Sequence, residues 1–147
     1  MTTLNHVGLT VSDLEASVAF YRDVVGMEEA GRSEVGGDWF DRLTDNVGAR
    51  IRVAHLTLGG LTLQLVQYLA AGGETLALAH KHVGNPHLCF NVQDLEAARR
   101  RVEALGGGGF LSPVVSLGDT GRRSFYVADP DGVLVEFIGG PPSDRQP

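Results

Sequence analysis

Polar and apolar positions alternate over residues 4–11. Val7, Leu9 and Val11 fall on one side; His6, Gly8 and Thr10 fall on the other. A period of two predicts a half-buried strand. Residues 87–92 repeat the pattern, with Leu88, Phe90 and Val92 opposed to His87, Cys89 and Asn91. After each strand the period lengthens. Leu14, Val18, Tyr21 and Val25 form one helical stripe, and Leu95, Ala98, Val102 and Leu105 form another. Both helices open on good N-cap residues, Ser12/Asp13 and Asp94. Ser12 with Glu15 fits a capping box. Gly26 and Gly106 suit the left-handed position that ends a helix. Strands are predicted near 27–35 and 109–116, each followed by a hairpin. Gly59-Gly60 marks the first hairpin turn and Asp129-Pro130-Asp131-Gly132 the second.

These elements repeat in order. HVGLTVSDLEA at 6–16 matches HLCFNVQDLEA at 87–97, with a constant offset of 81. Each half closes on an apolar strand centred on one polar residue, Leu61-Thr62-Leu63-Gln64-Leu65 and Val133-Leu134-Val135-Glu136-Phe137, at an offset of 72. The first half therefore holds nine extra residues, placed in its loops. Each half reads β-α-β-β-β. The fold class is α+β, with two modules at about 4–69 and 85–138 in one domain spanning 1–140. Residues 32–48 and 70–86 are less regular, the second being the linker, and 141–147 reads as a loose tail. Each module is too small to be comfortably stable alone, so the site is expected where the two meet.

Composition narrows the function classes. The net charge is −6 with no basic block, which argues against nucleic-acid binding. No apolar run is long enough for a membrane helix, and the N-terminus lacks a basic region ahead of an apolar run, so no secretory signal is expected. Cys89 is the sole cysteine, which excludes an intrachain disulfide and any cysteine-rich metal site. A reduced, cytoplasmic setting is the default expectation.

The candidate chemistry lies on the more polar strand faces. His6 and His87 open the two sheets, and Gln64 and Glu136 sit in the closing strands. If the halves pair by pseudo-symmetry, the four side chains converge. Two imidazoles, an amide oxygen and a carboxylate form a mixed N/O set. It suits Fe²⁺, Co²⁺, Ni²⁺, Mn²⁺ or Zn²⁺ better than Ca²⁺. A two-residue turn at Gly59-Gly60 pairs His55 with Gln64, so His55 is expected on the same face, as a general base or to orient substrate, although a strand residue under a loop is the simpler reading. Counting around the second turn in the same way pairs Ala128 with Val133 and Phe125 with Glu136. Arg123 would then share the face of Glu136, although an exposed arginine at a strand start is the simpler reading. Cys89 shares the face of His87 as packing. His80 and His82 read as loop histidines, and Trp39, Phe40 and Tyr68 as core or as lining for an apolar pocket.

The chain resembles the vicinal oxygen chelate superfamily, which includes glyoxalases, bleomycin-resistance proteins and extradiol dioxygenases. The segments that carry the resemblance are NHVGLTVSDLEASVAFYRDVVGM, LTLQLVQY, PHLCFNVQDLEAARRRVEALG and FYVADPDGVLVEF, within residues 4–138. The resemblance implies paired modules forming a cup-shaped mixed sheet around a divalent metal held by His6, Gln64, His87 and Glu136. This ligand pattern looks closest to methylmalonyl-CoA epimerase and glyoxalase I. It implies an isomerase, epimerase or lyase acting through an enolate on a small carbonyl or thioester substrate, with Glu136 or His55 as base. The alternatives are an Fe(II)-dependent dioxygenase of a catechol-like compound and a non-enzymatic antibiotic-binding protein. A homodimer is expected from the resemblance. So short a chain is expected to carry specificity in residues 32–48 and 70–86.

Overall fold

The pairing of the first and last strands organises each half. The computed structural model describes residues 1–105 and 109–140. The chain divides into two units, Met1–Ala77 and a second that begins at Leu78. In the first, β1 (Val7–Thr10) lies parallel to β4 (Leu61–Ala70). β4 pairs antiparallel with β3 (Arg50–Leu58), and β3 with β2 (Glu28–Gly36), giving the order β1-β4-β3-β2. In the second, β5 (His87–Asn91) lies parallel to β8 (Leu134–Gly139). β8 pairs with β7 (Arg123–Ala128), and β7 with the two-residue β6 (Val115–Ser116), giving β5-β8-β7-β6. Two four-stranded mixed sheets of one topology, with three α-helices among the described residues, make the fold α+β.

Helix α1 (Leu14–Phe20) crosses from β1 towards β2 and widens into one π-type turn at Tyr21–Val25 before Gly26 ends it in the left-handed region. Its N-cap is Asp13, whose Oδ1 accepts from the Glu15 and Ala16 amides. The Ser12/Glu15 capping box is thus replaced by an aspartate cap one residue later. Asp94 caps α3 (Leu95–Leu105) in the same way, through the Ala97 amide. Gly106, expected to end α3, lies outside the described residues, as does the tail 141–147. Leu14, Val18, Leu56, Leu63 and Leu65 are buried in the first unit. Val102, Phe125, Val127, Val135 and Phe137 form the corresponding core of the second. No helix among the described residues is long and apolar enough to cross a membrane.

The stretch 32–48 is more regular than its sequence pattern suggests. It completes β2 and then forms α2 (Asp38–Thr44). Seven residues span only two turns, too few for a helical period to emerge. Phe40 from α2 packs with Ala49, Ile51, Val53, Val66 and Tyr68, while Trp39 stays exposed.

The two hairpins differ. Gly59 and Gly60 both adopt positive φ, the geometry of a tight two-residue turn, so Leu58 meets Leu61 and His55 meets Gln64. The second turn is longer. Ala128 meets Leu134, leaving five residues in the loop. The fully buried Asp129 sets this length: its Oδ1 accepts from the Asp131 and Val133 amides. Replacing Asp129 with alanine strands those two amides. The expected loss is about 2–4 kcal/mol of stability, read by urea unfolding. A loss below that from Asp13→Ala, about 1 kcal/mol for a cap, would contradict this role.

Candidate active site

The pattern of polar residues on each sheet follows from strand register. In the first unit Gly8 lies opposite Gln64, so His6 precedes that rung by two residues. In the second, Cys89 lies opposite Glu136, and His87 again precedes it by two. Opposed residues share a face. Each sheet thus brings one histidine alongside one central polar residue, and the sequence offsets of 81 and 72 survive as identical registers.

In the first unit His55 and Gln64 are direct cross-strand partners and both are half-buried. Gln64 Nε2 lies 3.1 Å from His55 Nε2. With the amide nitrogen as donor, His55 Nε2 is the acceptor of this contact. That contact turns Gln64 Oε1 towards Gly8, where an added side-chain carbon would come within 3.9 Å of it. A longer side chain at position 8 would cover the oxygen. His6 is exposed, with its Nδ1 2.6 Å from Asn5 Oδ1.

In the second unit Glu136 is held from two sides. Ser124 Oγ donates to its Oε1 at 2.6 Å and Tyr126 Oη donates to its Oε2 at 3.0 Å. His87 Nε2 lies 3.9 Å from Oε2. The Glu136 side chain is 12% exposed and that of His87 45%, so the imidazole is the more open partner. Burial, reinforced by the hydrogen bond to Glu136 and that residue's charge, pushes the Tyr126 hydroxyl up to about 12. Cys89 keeps exposed surface, but its thiol is desolvated beside the same carboxylate and is pushed up to about 12. A thiol held protonated is a poor nucleophile.

Arg123 does not join this face. Tyr126, not Phe125, pairs with Glu136, and Arg123 pairs with Gly139. Asp129 lengthens the turn and shifts the register by one residue, and such a slip moves every side chain to the opposite face. Arg123 reaches Glu96 of α3 instead, at 2.8 Å. The same shift brings Ser124 and Tyr126 to Glu136, two residues that sequence reasoning missed. Asp129 followed by Gly132 is the signal that could have found them, since aspartate first and glycine fourth mark a type I turn inside a longer loop. His80 also lies closer to the chemistry than a loop histidine should. Its ring centroid is 5.8 Å from that of His87 and 5.5 Å from that of Tyr126.

Among the described residues no three His, Cys, Asp or Glu side chains gather into a group that could hold a metal ion. The first unit presents imidazoles and an amide oxygen on its polar sheet face, and the second presents an imidazole and a carboxylate. The donor chemistry fits a borderline divalent ion.

The family model described as the Glyoxalase/Bleomycin resistance protein/Dioxygenase superfamily matches residues 3–137. A 2-epi-5-epi-valiolone epimerase from Actinomyces is 33% identical, with 97% of this chain and 84% of that protein covered. An ethylmalonyl-CoA/methylmalonyl-CoA epimerase from Cereibacter sphaeroides is 31% identical, with 91% and 95% covered. The crystal structure of a glyoxalase family protein from Bacillus cereus superposes with a TM-score of 0.82 at 20% identity, covering 95% of both chains. With its repeated modules, matching registers and family-wide match, this chain belongs to the glyoxalase/bleomycin resistance protein/dioxygenase superfamily.

Proposed function

We propose that the chain is a divalent-metal-dependent epimerase or isomerase that removes a proton beside a carbonyl and returns it. The observation that carries this reading is the setting of Glu136, a largely buried carboxylate with one hydroxyl donating to each oxygen. Burying a carboxylate is costly unless it is well partnered, so one kept on a sheet face beside a histidine points to chemistry. The names of the two epimerase relatives support the reaction class.

In this reading His6, Gln64, His87 and Glu136 hold the ion. When bound, a divalent ion supplies Lewis-acid stabilisation of a substrate oxygen that gains negative charge. The chain's own groups move the proton. Glu136 accepts it, and the Ser124 and Tyr126 hydroxyls fix the carboxylate plane. Tyr126 remains a donor at neutral pH because its hydroxyl titrates near 12. Once Glu136 carries the proton, the Tyr126 oxygen can accept a hydrogen bond from it and hold it for return. His55 orients Gln64 through the amide nitrogen, leaving the amide oxygen for the ion. The substrate is a small carbonyl compound or acyl thioester.

Metal-loaded protein kept without oxygen in D₂O should exchange the α-proton of such a substrate. Glu136→Gln should slow that exchange about 10²–10⁴-fold, as read by mass spectrometry or NMR. Turnover that instead requires O₂ would replace this reading with a dioxygenase, and ligand binding without turnover would replace it with a binder. His55→Ala should weaken divalent-ion affinity roughly 10–100-fold in a calorimetric titration, the usual effect of losing a residue that orients a ligand. Unchanged affinity would remove His55 from that role.

A further inference from the structure

The polar face of the second sheet continues beyond Glu136 and ends in a cation. Along β5 the side chains of His87, Cys89 and Asn91 share one face, and Asn91 stands one rung past Cys89, opposite Ile138. Arg122 precedes β7, two residues before Ser124, and its Nη2 donates to Asn91 Oδ1 at 2.7 Å. That contact places the guanidinium at the end of the face that Cys89 and Glu136 share.

This arginine differs from its neighbours. Arg22, Arg32, Arg52, Arg99 and Arg123 each pair with a carboxylate. Arg122 hydrogen-bonds a neutral amide oxygen, so among the described residues its charge is not neutralised. Its Nε is buried with no hydrogen-bond partner there. A buried donor without an acceptor calls for explanation, and a guanidinium offers a fork of donors matched to a planar or tetrahedral oxyanion. The backbone beneath it is fixed. Leu117 N donates to Arg122 O at 2.9 Å, and Arg122 N donates to Thr120 Oγ1 at 3.2 Å. Gly140 packs so closely that an added side-chain carbon would lie 2.8 Å from Gly121 O and 2.9 Å from Arg122 Cα.

We propose that Arg122, positioned by Asn91, is the anchor for an oxyanion of the substrate, a carboxylate or phosphate. One rung along a strand is about 7 Å. The anion would therefore sit about five bonds from the carbon whose proton Glu136 takes, counting roughly 1.5 Å per bond. The inference rests on the proposed role of Glu136 for this spacing, but not for the anion contact itself.

The test titrates inorganic phosphate and acetate separately into the full chain in about 0.1 M sodium chloride, which screens non-specific attraction. The Arg122 Nε–H and Asn91 side-chain amide signals are followed by ¹H–¹⁵N NMR. A saturable shift of both signals is expected with at least one anion, and the tighter binder names the class. In Arg122→Gln the Asn91 shift should be lost. In Arg122→Lys, which keeps the charge but not the fork, binding should weaken at least about tenfold. In Glu136→Gln the shift should persist or strengthen, since a neighbouring negative charge is removed. No shift with either anion, or an Asn91 shift unaltered in Arg122→Gln, would overturn the anchor. If the Glu136 reading alone is wrong, α-proton exchange will be absent while the anion-dependent shift remains.

Discussion

The parallel pairing of the first and last strands in each unit is the constraint on which the rest depends. A parallel pair needs a crossover, and α1 and α3 supply it while covering one face of their sheets. That leaves the opposite face of the parallel pair to polar side chains. Because the register is the same in both units, Gly8 opposite Gln64 and Cys89 opposite Glu136, each histidine stands two residues ahead of the central polar residue. The third strand completes the arrangement with a hydrogen-bonding side chain, His55 in one unit and Tyr126 in the other.

The two halves share geometry but not charge. The first pairs an amide with an imidazole, and the contact leaves the amide oxygen turned towards Gly8. The second pairs a carboxylate with two hydroxyls and an imidazole. The second half continues along this face to Arg122, whose guanidinium donates to the neutral Asn91 amide.

Much of this was legible in the sequence because it rests on short-range patterns. The offsets of 81 and 72 encode the parallel registers, and Gly59-Gly60 encodes the pairing of His55 with Gln64. The failures have physical causes as specific as the successes. A buried carboxylate, Asp129, binds two amides of its own turn and stretches the loop to five residues. That one-residue change moved Arg123 off the site face and brought Ser124 and Tyr126 onto it. Helix α2 was missed because two turns carry no readable period, and its cap, Gly37, adopts positive φ without a side-chain signal. The nearness of His80 to His87 and Tyr126 depends on the path of a linker with no periodicity at all.

In the proposed function, His6, Gln64, His87 and Glu136 hold one divalent ion. Calorimetric titration of the chain with Mn²⁺ or Co²⁺, with metal content measured in parallel, tests this most directly. One tight ion per chain is expected, lost alike in His6→Ala and in His87→Ala. Two ions lost independently, or an ion that survives either substitution unchanged, would contradict it.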